Sequence, residues 1–492
     1  MKIMLITNYQ FKNGCYIDNT TVTYDMRICC CGTDLCNNLS VNEPIRRTFA
    51  PDFMFGVATA SYQVEGGAFA DGKGPSIWDT FTHLPGTVKD NSTGDIACNS
   101  YELYETDIAN IKYMGLNHYR FSLSWPRMFP SGRIDDPNPL GILYYDKLIN
   151  LSIANNIEPM VTLYHWDMPQ SLMDIGGFLN PDIKHYFANY SRFVFNRFGD
   201  RVKKWITLNE PTNMAQAEYC ADQGKIYAPG EFKAHCAWSL YLAAHNMLLS
   251  HLEMARVYKN DFQATQKGII GLALDGPWFE PYKNLPENQD AANRAFEFGI
   301  GWLGHPIYSP DGDYSEVLKE RIANMSLQEK RVTSRLPVFT QDEIDGLKNS
   351  ADFIGCNYYA GAKAKDLPTE LENDTLGTTQ EKRDSAAQGL DDADWTSVSS
   401  PTGAWPLYTP WTLRELLNYY RTNYGNKPVY ITENGCMEVI GQENLNDQGR
   451  IHFLRGYLLS IAAAIEDGCN VKGHTVWSLM DNFEWTKGYT MK

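Results

Sequence analysis

From Phe49 onward, short runs of β-branched and aromatic residues alternate with longer segments in which apolar residues recur at helical spacing. This alternation is typical of parallel strands that are joined by helices. Eight runs have the composition of strands, at residues 53–65, 118–127, 158–167, 203–210, 268–281, 352–361, 428–434 and 473–485. Eight such units in one chain predict a (β/α)8 TIM barrel, a fold of the α/β class, with a doubly wound sheet as the structural alternative.

The segment between the third and fourth runs carries the signals of a helix. Asn180 is a suitable N-cap, Pro181 suits the first helical position, and Gly199 suits the end of the helix. The apolar residues of the segment fall on one face, at Ile183, Phe187, Tyr190 and Val194.

Residues 362–404 differ from the rest of the barrel region, since they are polar, rich in Gly, Ser and Thr, and acidic. They have no clear periodicity and therefore predict a long loop after the sixth strand. On a barrel, such a loop overhangs the end at which catalytic groups lie.

Composition and charge narrow the classes of function. The chain has 492 residues, of which 43% are hydrophobic, and this is enough for a sizeable core. A formal net charge of −16, without any Lys/Arg-rich run, argues against nucleic acid as a partner. No stretch of 18 apolar residues occurs, so no membrane span is predicted.

The cysteines are concentrated at the N-terminus. Of 11 in total, five lie in the first 36 residues, at Cys15, Cys29, Cys30, Cys31 and Cys36, without a nearby His. Such a cluster favours disulfides over a zinc site. The stretch CCCGTDLCNN (29–38) resembles the end of small secreted three-finger modules. Residues 1–43 are therefore interpreted as an incomplete Cys-rich extension, either genuine or joined by a gene-model accident, ahead of a barrel at 49–492. The other six cysteines are expected to be single buried thiols.

Signals of cellular location are mixed. The apolar run near Met1 is shorter than the core of a usual secretory signal. Asn-x-Ser/Thr sequons favour the secretory pathway, with a cytoplasmic location as the alternative. They occur at Asn19, Asn38, Asn91, Asn150, Asn189, Asn324 and Asn373.

Two carboxylates lie at the ends of predicted strands on nearly opposite sides of the barrel. Glu210 ends the fourth strand and Glu433 ends the seventh. Catalytic groups of such barrels lie where the strands end. Two facing carboxylates are what glycoside hydrolysis needs, because one protonates the leaving oxygen while the other attacks or stabilises the oxocarbenium-like centre.

Seven motifs carry a family resemblance. In chain order they are FMFGVATASYQVEGG (53–67), YRFSLSWPR (119–127), YHWDMPQSL (164–172), TLNEP (207–211), NYY (357–359), YITENG (430–435) and WSLMDNFEW (477–485). Together they resemble glycoside hydrolase family 1, the β-glucosidase family, over residues 50–490. This resemblance implies a retaining β-glycosidase that acts by double displacement on a small-molecule β-glycoside.

The resemblance also assigns residues. It implies Glu210 as acid/base and Glu433 as nucleophile, with Arg120 and Tyr359 in contact with the nucleophile. The substrate-binding residues that it implies are Gln63, His165, Asn209, Tyr359, Trp405, Trp477, Glu484 and Trp485. Of these, Trp405 matches an aromatic platform for the leaving group. Nothing in this chemistry calls for a metal or an organic cofactor.

The physical chemistry of the two glutamates agrees with these roles. Arg120 and the Tyr359 hydroxyl are expected to lower the pKa of Glu433, while Glu210 has to be protonated near neutral pH. For a retaining mechanism the two carboxyl groups are expected about 5–5.5 Å apart.

Two other functions use the same fold. A klotho-like binding protein typically has a catalytic glutamate replaced, whereas this chain carries both. A plant-type thioglucosidase replaces the acid/base with Gln, and Glu210 argues against that type. Insect-type thioglucosidases that retain the Glu stay possible.

The sequence ends at Lys492, seven residues after Trp485. Family members continue with a hairpin and a last helix that covers the eighth strand. The expectation is therefore a barrel that lacks its last helix, with uncovered apolar faces on strands one and eight, a frayed C-terminal segment and weak activity.

Overall fold

A computed structural model describes residues 25–28, 45–221, 227–230, 232–367, 379–395, 406–437 and 447–491. The Cys-rich segment 1–43 lies outside the described residues, except for a strand at Asp25–Ile28. That strand pairs antiparallel with Ile45–Thr48, just ahead of the barrel.

The strands in the described part of the chain are numbered in chain order. They are β1 Asp25–Ile28, β2 Ile45–Thr48, β3 Met54–Thr59, β4 His118–Ser122, β5 Glu158–Tyr164, β6 Lys204–Asn209, β7 Ile269–Asp275, β8 Phe279–Pro281, β9 Phe353–Asn357, β10 Ala362–Asp366, β11 Ala387–Leu390, β12 Val429–Glu433 and β13 Val471–Trp477.

Eight of these strands close a parallel barrel in the order β3, β4, β5, β6, β7, β9, β12 and β13, with β13 paired back to β3. All eight predicted strands and the (β/α)8 fold are confirmed. The predicted runs were longer than the strands because they extend into the loops that follow. Those loops lie at the end of the barrel where the polar residues were expected.

Helices connect the barrel strands on the outside. They are α1 Ser61–Val64, α2 Ile77–Thr82, α3 Ser100–Tyr113, α4 Trp125–Met128, α5 Pro139–Ala154, α6 Gln170–Met173, α7 Ile183–Phe198, α8 Pro211–Ala217, α9 Cys236–Val257, α10 Gln263–Gln266, α11 Pro286–Phe298, α12 Ile300–Tyr308, α13 Glu316–Gln328, α14 Gln341–Leu347, α15 Gln380–Ser385, α16 Pro410–Asn423 and α17 Gln448–Glu466. Among the residues described, none of the helices is long and apolar enough to cross a membrane.

Helix α7 begins later than predicted. The Asp182 N–H donates to the side chain of Asn180 and the Ile183 N–H donates to the Asn180 carbonyl, so Asn180 organises a turn before the helix. Asp182 occupies the N-cap position instead. The predicted apolar face is confirmed as buried, at Ile183, Phe187, Tyr190 and Val194.

The prediction that residues 362–404 form an irregular loop is wrong for their described part. Strand β10 pairs antiparallel with β11 and parallel with β8, and α15 precedes β11. These strands have only three to five residues, too few for a periodic pattern to be recognised. Their pairing with β8, some eighty residues away, is a tertiary contact. Residues 368–378 and 396–404 lie outside the described residues.

The prediction of six single thiols is wrong for two of them. Cys220 and Cys236 form a disulfide that closes the loop between α8 and α9. The two cysteines are 16 positions apart, and this spacing gave no pairing signal, because the pairing depends on tertiary structure. Among the described residues, Cys98, Cys356 and Cys469 are free thiols.

The eighth barrel strand and the residues after it are held in place. Strand β13 pairs with β12 on one side and with β3 on the other. Beyond it, the Tyr489 N–H donates to Asp90 Oδ2 at 2.9 Å and the Tyr489 hydroxyl donates to the Thr93 carbonyl at 3.1 Å. The expected fraying is therefore wrong for residues up to 491. Val57 on β3 is buried and Val476 on β13 is half-buried.

The lower barrel interior is an apolar layer on which the site rests. Its side chains are all buried and come from different strands: Met54, Met160, Ile206, Ala273, Phe353 and Tyr430. The layer above it is polar and includes the buried side chains of Arg120, Asn209, Asn357 and Glu433. An apolar base of this kind fixes the strand ends that carry the polar groups.

Phe353→Ala is expected to lower the free energy of unfolding by about 3–5 kcal/mol, because it removes a fully buried ring from this layer. Urea denaturation would measure the loss. Phe69, which is 80% exposed, supplies the matched control, and Phe69→Ala is expected to change stability by less than about 0.5 kcal/mol. Equal losses in the two variants would contradict this account of the core.

Candidate active site

A cavity of about 910 Å³ opens at the carboxyl end of the barrel strands. Seven of the residues that the sequence analysis selected line it: His165, Glu210, Tyr359, Glu433, Trp477, Glu484 and Trp485. They come from five different strand ends or the loops after them, so the closed barrel brings together side chains that are far apart in the sequence.

Glu210 lies at the junction of β6 and α8. Its backbone is left-handed, with φ of 49°, and its N–H donates to the Ala273 carbonyl on β7. A left-handed non-glycine residue is strained and is kept only where the surroundings impose it. Here Pro211 starts α8 directly after Glu210, and this sharp turn aims the carboxyl group at the cavity.

Glu433 ends β12 and is held by the two predicted partners. Arg120 Nη1 donates to Glu433 Oε1 and the Tyr359 hydroxyl donates to Oε2, both at 2.7 Å. The expected net lowering of its pKa is wrong, since burial raises the pKa of Glu433 to about 7. Arg120 and Tyr359 oppose this rise, and the nearby charge of Glu210 adds to it. Desolvation of a carboxylate inside the barrel outweighs both donors.

The two glutamates face each other across the mouth. In the barrel, β6 and β12 are separated by β7 and β9, so their ends lie on opposite sides. Asn357 at the end of β9 bridges the gap: its Nδ2 donates to Glu210 Oε1 at 2.8 Å, and its Oδ1 accepts from Arg120 at 3.4 Å. Through Arg120, the same amide is connected to Glu433.

His165 and Asn209 form a fixed polar pair beside the glutamates. Asn209 Nδ2 donates to His165 Nε2 at 3.1 Å, while Asn209 Oδ1 accepts from Arg120 at 2.5 Å. Burial, assisted by the charge of Arg120, holds the pKa of His165 well below its usual range. The imidazole is therefore neutral and accepts through Nε2, which leaves the proton on Nδ1.

Gln63 and Glu484 lie together on the far side of the cavity. Gln63 is fully buried, and its Nε2 donates to Asn482 Oδ1 at 2.8 Å and to Glu484 Oε2 at 3.3 Å. Burial raises the pKa of Glu484 to about 7. Gln63 thus holds the loop that carries Glu484, and it is Glu484 that lines the open cavity.

The two predicted tryptophans occupy different environments. Trp477 is half-buried and lies nearly parallel to the His165 ring, with centroids 5.6 Å apart. Trp485 is only 4% exposed and packs against Trp78 and Trp166, each at 4.6 Å between centroids. Trp477 therefore presents a ring face to the cavity, whereas most of Trp485 is buried against Trp78 and Trp166. Trp405 lies outside the described residues.

The described residues contain no group of three or more His, Cys, Asp and Glu side chains arranged to hold a metal ion.

Residues 45–492 match the family model described as Glycosyl hydrolase family 1. Beta-glucosidase 12 of Oryza sativa subsp. indica is 42% identical over 472 residues, which span 92% of this chain and 89% of the relative. Myrosinase 1 of Brevicoryne brassicae is 43% identical over 458 residues, 90% of this chain and 92% of the relative. A solved structure of an aphid myrosinase matches with a TM-score of 0.83 at 41% identity, covering 90% of this chain and 92% of that one.

The chain belongs to glycosyl hydrolase family 1. It is a glycoside hydrolase of the β-glucosidase type, which acts on O-glycosyl compounds.

The sequence analysis gave no role to three residues that line the cavity, Asn213, Tyr227 and Asn357. Asn357 stood inside the NYY motif without a role, and Asn213, whose Nδ2 donates to Glu210 Oε2 at 3.1 Å, was not considered. Tyr227 lines the cavity and packs on Trp166 at 5.4 Å. A signal existed for Asn213, since a residue three positions after Glu210 shares its helix face. The sequence carried no such signal for Tyr227, because its position at the cavity depends on the tertiary structure.

Tyr359→Phe is expected to move the acidic limb of the kcat/KM profile of this hydrolase up by about one pH unit. Glu433, which the sequence analysis expects to be the nucleophile, can attack only as a carboxylate, and a donor to a charged group is worth about 1.5–3 kcal/mol. Loss of the Tyr359 hydroxyl disfavours the ionised form of Glu433 and raises its pKa. On acidification, activity therefore begins to fall at a higher pH than in the wild type.

The adjacent Tyr358 gives the control, because its hydroxyl donates to Thr412 Oγ1 instead. Tyr358→Phe is expected to leave the acidic limb in place. An unmoved limb in Tyr359→Phe would contradict the role assigned to that hydroxyl.

Proposed function

We propose that this hydrolase retains the β-configuration, with Glu433 as the nucleophile and Glu210 as the acid/base. One observation carries the assignment: the two facing carboxyl groups have different partners. Glu433 is bound by a guanidinium and a phenol, which stabilise a carboxylate. Glu210 is bound by two amides, which contribute no formal charge.

The reaction then follows in two displacements. The Glu433 carboxylate attacks the anomeric carbon, the bond to the leaving oxygen breaks, and Glu210 gives its proton to that oxygen. In the second displacement a water molecule loses a proton to Glu210 and attacks the same carbon from the opposite face. The ester to Glu433 breaks, the carboxylate is restored, and the β-sugar is released.

Sugar recognition is proposed for the polar residues around the nucleophile. Neutral His165 and the fixed amide of Asn209 are suited to sugar hydroxyls, and Trp477 offers an apolar face to the ring. Glu484, held by Gln63, is suited to two neighbouring hydroxyls far from the reacting carbon. Its carboxylate would repel a phosphate, which favours a neutral sugar.

A thioglucosidase is the second candidate, because the relatives include proteins named myrosinase. A thiolate leaves with little protonation, so a hydrolase of S-glycosides has less use for an acid than a hydrolase of O-glycosides. The intact Glu210 with its two amide partners favours O-glycosides. A klotho-like binding role is disfavoured because both glutamates are present.

A secretory location is proposed on two observations. The Cys220–Cys236 disulfide is typical of an oxidising compartment. The four sequon asparagines in the described residues are all exposed: Asn91, Asn150, Asn189 and Asn324.

Retention is tested by proton NMR of the first sugar released from an aryl β-glucoside. The β-anomer is expected first, because the Glu433 ester inverts the carbon once and water inverts it again. An α-anomer formed first would contradict double displacement. An aryl thio-β-glucoside assayed in parallel is expected to react more slowly, and the reverse order would favour the second candidate.

Azide distinguishes the two glutamates. With a 2,4-dinitrophenyl glycoside, Glu210→Ala is expected to recover activity with azide and to give a β-glycosyl azide, since the nucleophile is intact. Glu433→Ala is expected to be inactive and, if azide restores turnover, to give the α-azide. The opposite stereochemistry in the two variants would exchange their roles.

Glu484→Ala is expected to reduce kcat/KM at least tenfold, because a lost charge-assisted hydrogen bond costs roughly 1.5–3 kcal/mol. Glu287→Ala, at an exposed position in the first turn of α11, is the control and is expected to have no effect. Kinetics unchanged within a factor of two would show Glu484 to be a structural residue.

A further inference from the structure

Each oxygen of the Glu210 carboxyl group accepts from a side-chain amide, and the two amides are held differently. Oε1 accepts from Asn357 Nδ2 at 2.8 Å and Oε2 accepts from Asn213 Nδ2 at 3.1 Å. An acid/base has to alternate between a carboxylate, which only accepts, and a carboxylic acid, which donates through one oxygen. The question is which oxygen carries the proton.

The Asn357 amide cannot turn. Its Oδ1 accepts from the Thr432 hydroxyl at 2.7 Å and from Arg120, a side chain that only donates. Its Nδ2 is also engaged with Asn209 Oδ1 at 3.0 Å. Asn357 therefore presents an N–H to Oε1 in every protonation state, and Oε1 stays an acceptor.

Asn213 is held differently. It lies on the first turn of α8, is half-buried and lines the cavity. Its Nδ2 donates to Glu210 Oε2, and within the described residues its Oδ1 has no hydrogen-bond partner. A turn of this amide by 180° exchanges an N–H donor for a carbonyl acceptor at nearly the same place.

We propose that Asn213 is a positioning residue that follows the proton of Glu210. Because Oε1 is committed to Asn357, the proton resides on Oε2. Asn213 Nδ2 donates to Oε2 when Glu210 is the base, and the turned amide accepts from the Oε2–H when Glu210 is the acid. The role rests on the proposed function of Glu210: Asn213 keeps the acidic proton on Oε2 until the leaving oxygen takes it.

The test uses Asn213→Leu, which has a similar size but neither donor nor acceptor. Phenyl, 4-nitrophenyl and 2,4-dinitrophenyl β-glucosides need progressively less protonation of the leaving oxygen. Asn213→Leu is expected to lower kcat/KM at least tenfold for the phenyl glucoside and less than about twofold for the 2,4-dinitrophenyl glucoside. Loss of a merely structural contact would lower all three alike.

Asn213→Asp separates the two states of Glu210. The Asp carboxylate accepts from the Oε2–H and so stabilises protonated Glu210, and kcat/KM for the phenyl glucoside is expected to stay within about threefold of wild type. The same carboxylate repels the ionised form of Glu210, which has to act as the base. Reactivation of the enzyme trapped with a 2-deoxy-2-fluoroglucoside, which reports the second displacement alone, is therefore expected to slow at least fivefold.

Gln216→Leu is the matched control, since Gln216 lies one turn further along α8 and lines the same cavity. It is expected to show the wild-type dependence on the leaving group. Only variants whose melting temperature equals that of the wild type are compared. Two results overturn the role of Asn213 alone, provided that the wild type is active. In the first, Asn213→Leu lowers kcat/KM equally for all three substrates. In the second, Gln216→Leu shows the same dependence on the leaving group as Asn213→Leu. A wild type that does not hydrolyse the 2,4-dinitrophenyl glucoside contradicts the proposed function, and the role of Asn213 with it.

Discussion

The arrangement of the site depends on one buried cation, the guanidinium of Arg120 on β4. It is 1% exposed and donates to side chains from four other barrel strands. Its side-chain partners are Thr162 on β5, Asn209 on β6, Asn357 on β9 and Glu433 on β12. Breaking a buried ion pair costs about 3–5 kcal/mol, because the remaining charge is left without compensation. Arg120 and Glu433 therefore fix each other, and together they fix the upper barrel.

That single cation gives two glutamates of the same chemistry different environments. Glu433 is bound to Arg120 directly. Glu210 is connected to Arg120 through Asn357, whose Oδ1 accepts from Arg120 and whose Nδ2 donates to Glu210. In the proposed reaction the charge on Glu433 disappears when the glycosyl ester forms, and the partners of Arg120 include the amide that binds Glu210. Glu433 and Glu210 are thus connected through one hydrogen-bonded network.

Much of this site was predictable because its residues follow regular strand patterns. Glu210 and Glu433 end strands, and barrel closure puts strand ends in one place. What the sequence did not predict depends on tertiary structure. The pKa of Glu433 is set by how deeply the strand end is buried. The contact of Asn213 depends on the strained turn at Glu210. The short strands β8, β10 and β11 exist only as a pairing of distant segments.

The most direct test of the account is to find which side chain carries the sugar between the two displacements. The enzyme is incubated with 2,4-dinitrophenyl 2-deoxy-2-fluoro-β-glucoside, digested with pepsin at low pH, and the labelled peptide is sequenced by mass spectrometry. The account predicts one adduct per chain, on the carboxyl group of Glu433 in the segment YITENG. An adduct on Glu210, or steady hydrolysis of the unfluorinated substrate with an inverted product and without any adduct, would contradict it.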